Sequence, residues 1–463
     1  MCRRIICSEL TLLLSRRDRY RLRVHTFYTE REKSDNGVEM ADKISIPRGT
    51  YDILPDMSYK WQYVTRAFRD IAQIFDFREI VTPIFENADL FERSVGEVTD
   101  IVEKEMYKFS DKKGRVFALR PEGTAPVVRS FIENSLHKSG NIAKLFYSGP
   151  MFRYDRPQKG RYRQFYQYGV ELIGSDHPYT DAEVIALADS FMKKLGLKGY
   201  RLEINSIGCS KCSPRYDESL KKYFGLYKAE LCPDCLRRLD KNPKRLLDCK
   251  NNNCRKIAEN APSILDFLDN ECRSAFEMVK EYLNLMNVEF VINPRIIRGL
   301  DYYNKTAFEI ITDSLGAQNA ILGGGRYNTL IKDLGGPDLP AIGFAGGFER
   351  LISLMQLEKL SFGPEPAPAV YLVVLGENTI PYALEICYNL RDKEITVEFD
   401  IEKNSLKAQM KAANRANAHY ALIIGEEEMD KKKVTLKNMT AGTQESLNKE
   451  ELLLRLNSPI DNR

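Results

Sequence analysis

The chain lacks any long apolar run. Its longest are of the size of Ala369 to Leu375, far short of the ~18 consecutive residues a membrane-spanning helix requires. The sequence therefore reads as one that does not cross a bilayer. Histidine is scarce: four residues in 463, at 25, 137, 177 and 419, widely scattered. Histidine-based acid-base or metal chemistry has little to build on. No paired Ser/His, Cys/His or Walker-type arrangement occurs, nor any internal repeat or low-complexity tract. Charge of one sign is missing too, because 69 Lys+Arg against 65 Asp+Glu leave a net +4. A nucleic-acid surface would have to be local.

What is present is an ordinary folded composition, 43% apolar and 29% charged, over a length that suggests about three domains. There are ten cysteines, six of them between Cys209 and Cys254. Secreted disulfide scaffolds are small and cysteine-dense throughout, so a reducing compartment fits better.

Residues 1–40 stand apart. The first 23 carry seven arginines against two acids, Glu9 and Asp18. An organellar transit peptide has that composition. The plainer reading is a disordered extension, or a start assigned too far upstream with Met40 near the true one. Beyond it, Trp61, Val64, Phe68, Ile71 and Phe75 recur at three- and four-residue steps and predict an amphipathic helix. Met106 to Phe109 and Arg115 to Leu119 predict a hairpin turning at Gly114, and Lys144 to Tyr154 and Tyr162 to Gly174 predict two antiparallel strands. Thr180 to Glu183 reads as a capping box, Gly323 to Gly325 as a glycine loop, and Ala341 to Arg350 as a tight glycine turn opening a helix. The expected organisation is a catalytic domain in two parts, 41–208 and 262–362, around a Cys-rich insertion at 209–261. A linker at 363–368 leads to an α/β domain at 369–463.

The strand from Tyr162 to Gly174 carries most information about chemistry. Period-two alternation puts Gln167, Gly169 and Glu171 on one face, and Tyr166, Tyr168, Val170 and Leu172 on a core face. An amide and a carboxylate flanking a glycine form a polar slot for a small ligand, and a buried Glu171 needs a substrate group or an arginine as partner. Glu122 and Thr124 offer a second carboxylate and a hydroxyl, on one face if that segment is extended. Arg153 suits bidentate phosphate binding. Arg156, Lys159, Arg161 and Arg163 follow within eight residues and without an intervening acid, which favours a polyanion. Arg298 precedes the phenols of Tyr302 and Tyr303, and Arg350 follows the second glycine run. Arginines and carboxylates on strands suggest phosphate activation by positioning and electrostatics.

These residues resemble a class II histidyl-tRNA synthetase over about residues 41 to 460. Phe77 to Glu86, Phe152-Arg153 with its loop and following strand, and Gly343 to Arg350 are similar to the three class II motifs. Arg298 to Tyr303 and Gly324 to Tyr327 are similar to the two histidine-specific ones. The resemblance implies an α+β catalytic domain built on an antiparallel sheet, and a C-terminal α/β anticodon-binding domain. It implies ATP-dependent ligation of L-histidine to tRNA(His) through a histidyl-adenylate, with ATP and Mg2+ as substrate, in a cytoplasmic homodimer (organellar if residues 1–40 are an address). Glu122, Gly123, Thr124, Gln167, Glu171, Tyr302, Tyr303 and Tyr327 would form the histidine site. Arg153, Arg161 and Arg350 would bind ATP, and Arg298 with Arg153 would be catalytic. The second motif carries Asp155 where the family has glutamate, the first opens on Asp76 in place of glycine, and Tyr166 stands where many relatives have histidine. The alternative reading is a catalytically silent, histidine-binding regulatory paralogue, which typically lacks the C-terminal domain and the catalytic arginine. A synthetase for another amino acid would require the Arg298 to Tyr303 motif to be accidental.

Cys209-x2-Cys212 and Cys232-x2-Cys235 have the spacing of one four-thiolate zinc site, with Cys249 and Cys254 as alternative ligands. Many members of the resembled family manage without zinc, and reduced cysteines can simply pack.

Overall fold

The computed structural model describes residues 44–95, 101–140, 142–155, 161–297, 302–315, 319–403 and 405–457. The N-terminal extension and Arg298 lie outside them. The chain divides into two units, Met1–Pro47 and Arg48–Arg463, and the second holds every helix and strand among the described residues.

The strands are β1 (Arg78–Glu79), β2 (Phe85–Asn87), β3 (Lys108–Ser110), β4 (Val116–Leu119), β5 (Ala143–Phe152), β6 (Gln164–Ile173), β7 (Arg201–Ser206), β8 (Val291–Ile292), β9 (Asn304–Ile311), β10 (Ala320–Arg326) and β11 (Ala341–Gly347). After them come β12 (Val370–Val374), β13 (Val397–Glu398), β14 (Tyr420–Ile424), β15 (Val434–Asn438) and β16 (Gln444–Leu447). Eight form one sheet in the order β1-β5-β6-β11-β10-β9-β7-β8. It is antiparallel except at its edges, where β1 lies parallel to β5 and β8 parallel to β7. One face is covered by the helices Pro55–Ile74, Pro178–Lys194, Asn270–Leu285 and Phe348–Leu357, whose apolar sides meet Tyr168, Val170 and Leu172 of β6 in a single core. Helices cover that face because β6 presents its apolar alternation there. Gln167, Gly169 and Glu171 consequently point away from it.

Two glycine-rich stretches differ from expectation. Gly323 to Gly325 and Gly343 to Gly347 are central strand, in β10 and β11, paired from Leu322↔Gly346 to Arg326↔Ile342. Glycine serves here for close approach: a side chain on Gly324 would collide with Phe344 and the Gly343 carbonyl, and one on Gly343 with the Glu171 carboxylate. The capping box at Thr180 is also corrected. Pro178 opens that helix and His177 is its cap, accepting from the Tyr179 N–H at 3.1 Å. This leaves Thr180 and Asp181 in the first turn, where both bind the buried Arg326: Nη2 donates to Thr180 Oγ1 at 3.0 Å and Nε to Asp181 Oδ1 at 3.0 Å.

Three smaller bodies complete the unit. β2-β4-β3 form a separate sheet. The segment after β7 folds into helices Ser213–Gly225, Pro233–Lys241 and Asn252–Ala258 around a core of its own, in which cysteines alternate with Tyr216, Leu220, Phe224 and Leu239. Beyond Ala369, β12 to β16 make a sheet ordered β13-β12-β14-β15-β16, parallel through its first three strands, with its own apolar cores. The expected β/α alternation is realised there, with helices Ile380–Arg391 and Leu406–Arg415 between the strands.

Candidate active site

The polar face of β6 forms the floor of a buried site, and its neighbours supply the walls. Among the described residues, Glu171 meets no arginine. Its carboxyl accepts from the Thr124 hydroxyl at 2.7 Å and from the Tyr327 hydroxyl, and it is buried. Burial pushes it up to about 8, against the pull of the two hydroxyls. The pocket thus holds a carboxyl that keeps its proton well above the usual carboxylate range.

The segment bearing Glu122 and Thr124 is not extended, as the shared-face argument required. Thr124 begins a helix, Thr124–Glu133, and Glu122 accepts from the Thr124 and Ala125 N–H groups at 2.7 and 2.8 Å. A carboxylate at a helix N-terminus is electrostatically favoured, although burial still holds this one above the usual range. The Gly123 N–H donates to Gln167 Oε1 at 3.1 Å, tying this turn to β6. Helix start and strand thus bring Glu122, Gly123, Thr124, Gln167 and Glu171 together. Tyr302, Tyr303 and Tyr327 close the opposite side as an aromatic group, with ring centroids 4.6 to 6.4 Å apart.

Tyr147 belongs to the same pocket and escaped the sequence reading. It faces Gly169 across the β5–β6 register, and its ring fills the space that side chains at Gly123 and Gly169 would need. Its hydroxyl is buried beside the side chains of Thr124 and Glu171. A tyrosine register-paired with a glycine was the available signal, but it requires the pairing to be known.

The cationic side lies at the far ends of β5 and β6. Arg153 is anchored by Nε donating to the Pro121 carbonyl at 2.9 Å, with its guanidinium over the Phe165 ring. Arg161 pairs with Asp155 at 2.7 Å. Arg350 donates to the Ala320 carbonyl at 2.6 Å. Burial lowers the basicity of Arg153 and Arg350, and Arg161 lowers both further. Three guanidiniums that repel one another describe an anion site. Arg156 and Lys159 of the basic loop lie outside the described residues, as does Arg298. Arg163 stacks on Tyr154, 4.2 Å from the ring centroid.

The cysteines do not assemble as one site. Cys232, Cys235, Cys249 and Cys254 form one cluster, and Cys209, Cys212, Cys272 and Asp269 form another. The two Cys-x2-Cys pairs, expected to share an ion, are separated because each is completed by residues from a different return of the chain.

A buried carboxyl, two phenol-bearing walls and a guanidinium cluster suit a small ligand with polar nitrogens next to a polyphosphate. The family model described as Histidyl-tRNA synthetase matches residues 49–211 and 235–351, and that of an Anticodon binding domain matches 369–458. A histidine–tRNA ligase of Halothermothrix orenii is 50% identical over 401 residues, covering 87% of this chain and 96% of the relative. Another, of Pelotomaculum thermopropionicum, is 47% identical over 90% of this chain and 98% of its own. The solved structure of apo S. aureus histidyl-tRNA synthetase aligns at a TM-score of 0.77 and 38% identity, covering 89% of this chain and all of that one. Sequence and fold agree, and the chain belongs to the histidyl-tRNA synthetase family.

Proposed function

We propose that the buried carboxyl of Glu171, shared between the Thr124 and Tyr327 hydroxyls, is the group that selects histidine. The chain is a histidine–tRNA ligase, and the identity across most of its length sets the regulatory paralogue aside. Imidazole presents two nitrogens that each need a partner, and Glu171 with Tyr303 would supply them. An isostere lacking those nitrogens would leave a buried carboxyl unpaired, a cost that gives polar pockets strong discrimination. Glu122, Thr124 and Gln167 receive the α-amino group, Gly123 and Tyr302 shape the wall, and Tyr327 closes the pocket. Glu122 can do so while capping its helix, because a carboxylate accepts more than two hydrogen bonds.

ATP is used with Mg2+. Arg153 takes the α-phosphate and Arg350 the γ-phosphate, with Arg161 alongside. Arg298 steadies charge at the α-phosphorus as the histidine carboxylate attacks. The bond to the bridging oxygen breaks, pyrophosphate leaves, and a hydroxyl of the terminal adenosine of tRNA(His) then displaces AMP from the adenylate. Histidine's own carboxylate is the nucleophile, so the protein contributes positioning and charge.

The domain division follows the same reading: catalytic parts at 41–208 and 262–362, the insertion between them, and residues 369–463 on the anticodon. The chain works as a cytoplasmic homodimer. Val81, Phe85 and Val116 are 84%, 51% and 46% exposed, and Phe85, Phe109 and Phe117 form a ring cluster on the sheet β2-β4-β3. A second copy is the partner this surface suits. The insertion carries structural zinc on Cys232, Cys235, Cys249 and Cys254. Amino-acid-dependent ATP–pyrophosphate exchange across all twenty amino acids tests the central claim. Exchange with histidine alone is expected; exchange with another amino acid, or none, overturns it.

A further inference from the structure

We infer that the chain carries a second, separate metal centre, formed by Cys209, Cys212, Cys272 and Asp269, which clamps the neck of the insertion. This rests on the reading that the insertion binds zinc, and adds a distinct ion with a distinct task.

Both clusters have the geometry of a mononuclear tetrahedral ion. Thiolates at about 2.3 Å from a tetrahedral zinc lie about 3.8 Å from one another. The Sγ atoms of Cys209 and Cys212 are 3.7 Å apart, and those of Cys232 and Cys249 3.8 Å. All four ligand atoms of each cluster lie within 4.8 Å of one another. Backbone N–H groups point at the sulfurs, as they do where thiolates carry negative charge: Lys211 N–H to Cys209 at 3.4 Å, Asp269 N–H to Cys212 at 3.3 Å, Asn251 N–H to Cys249 at 3.4 Å and Cys232 N–H to Cys254 at 3.3 Å. Four groups so close, with amide donors turned toward the sulfurs, are arranged for a cation.

Position separates the two tasks. Cys232, Cys235, Cys249 and Cys254 all lie within the insertion and organise its small core. Cys209 and Cys212 sit where the chain leaves β7, whereas Asp269 and Cys272 sit where it returns and enters the helix Asn270–Leu285, which packs on the catalytic sheet. Asp269 is shared between both roles. Its Oδ1 caps that helix by accepting from the Cys272 N–H at 2.8 Å, and its Oδ2 lies 3.2 Å from the Cys209 sulfur. An ion here closes a loop of some sixty residues and fixes the insertion on its base. The same neck borders a cavity of about 460 Å3 whose lining includes Cys209, Ser213, Lys244, Tyr302 and Tyr303.

Elemental analysis of the full chain, purified without chelator from zinc-supplemented medium, tests this. Two equivalents of zinc per chain are expected. Cys235→Ser should leave one, Cys272→Ser should leave one, and the double variant none. A single equivalent, unchanged by Cys272→Ser, overturns the neck centre while the insertion zinc stands. No zinc overturns both. Asp269→Asn keeps a good helix cap and so guards against misfolding: it should lose one equivalent to a chelator at least ten times faster than the parent chain. Unchanged release would remove Asp269 from the ligand set and overturn the centre as assigned. Loading of the apo-protein with Co2+ should saturate at two equivalents with tetrahedral thiolate spectra, and saturation at one would again overturn it.

Discussion

The two halves of the candidate active site are built on opposite principles. Around Glu171 the carboxyls are bonded by the protein itself, Glu171 through the Thr124 and Tyr327 hydroxyls and Glu122 through backbone N–H groups of a helix start. Around Arg153 and Arg350 the guanidiniums hold carbonyls but repel each other. One half is bonded within the protein, and the other gathers guanidiniums whose mutual repulsion is only partly offset by nearby carboxylates. Selection among amino acids needs a rigid pocket that penalises the wrong shape. Phosphate activation needs excess positive charge at a place where negative charge develops. Glu349 serves both sides of this division: its carboxylate accepts from the Tyr51 hydroxyl and the Tyr166 N–H, both at 2.8 Å, and its charge also offsets that of Arg350.

Breaking the rigid half at its support should have the largest effect. Arg326 and Asp181 are 1% and 2% exposed, so Arg326→Ala strands a buried carboxylate. It should destabilise the fold by about 3–5 kcal/mol, read by denaturant unfolding. Loss of under 1 kcal/mol would show that β10 is held by its strand pairing alone. Next comes the pocket itself. Glu171→Gln places an NH2 group where the Thr124 and Tyr327 hydroxyls donate, and should lower kcat/KM for histidine in pyrophosphate exchange ~1000-fold, about 4 kcal/mol, with the KM for ATP little changed. By its proposed role, Arg298→Ala should slow adenylation at least ~100-fold, about 2.7 kcal/mol, with a smaller effect on histidine affinity. If the two variants shifted both substrates alike, the division into halves would fail.

The smallest effect is on pH dependence. Burial holds Glu171 up at about 8 in the folded chain, above its unfolded value of ~4.3. Between those limits the folded chain holds a proton that the unfolded chain has released. Its contribution to stability is complete below the unfolded value and is lost as pH rises toward 8, at about 1.4 kcal/mol per pH unit. Glu171→Gln should remove that slope between pH 5 and 7.5 in urea titrations, and identical slopes would place the carboxyl's ordinary titration outside the pocket. Bound histidine should flatten it too, because an imidazole N–H favours the carboxylate.

What was legible from sequence alone was whatever obeys a local period. Alternation from Tyr162 to Gly174 separates the binding face from the core face, since β side chains alternate whatever lies around them. The helix beginning near Trp61, the hairpin at Gly114 and the β/α alternation after Ala369 follow from equally local rules. The glycine runs were misread as turns because glycine serves both for turns and for close approach, and only the packing of β10 against β11 shows which applies. Whether Glu122 and Thr124 share an extended face stays open in the sequence, because nothing local announces that the helix starts at Thr124. The partition of the cysteines was the least accessible part. Spacing identifies thiolate pairs, but which pairs share an ion depends on where the chain returns, and Asp269 and Cys272 come back to Cys209 from sixty residues away. Ligand type was thus settled along the chain, whereas ligand grouping is a property of the folded surface, set by contacts between residues distant in sequence.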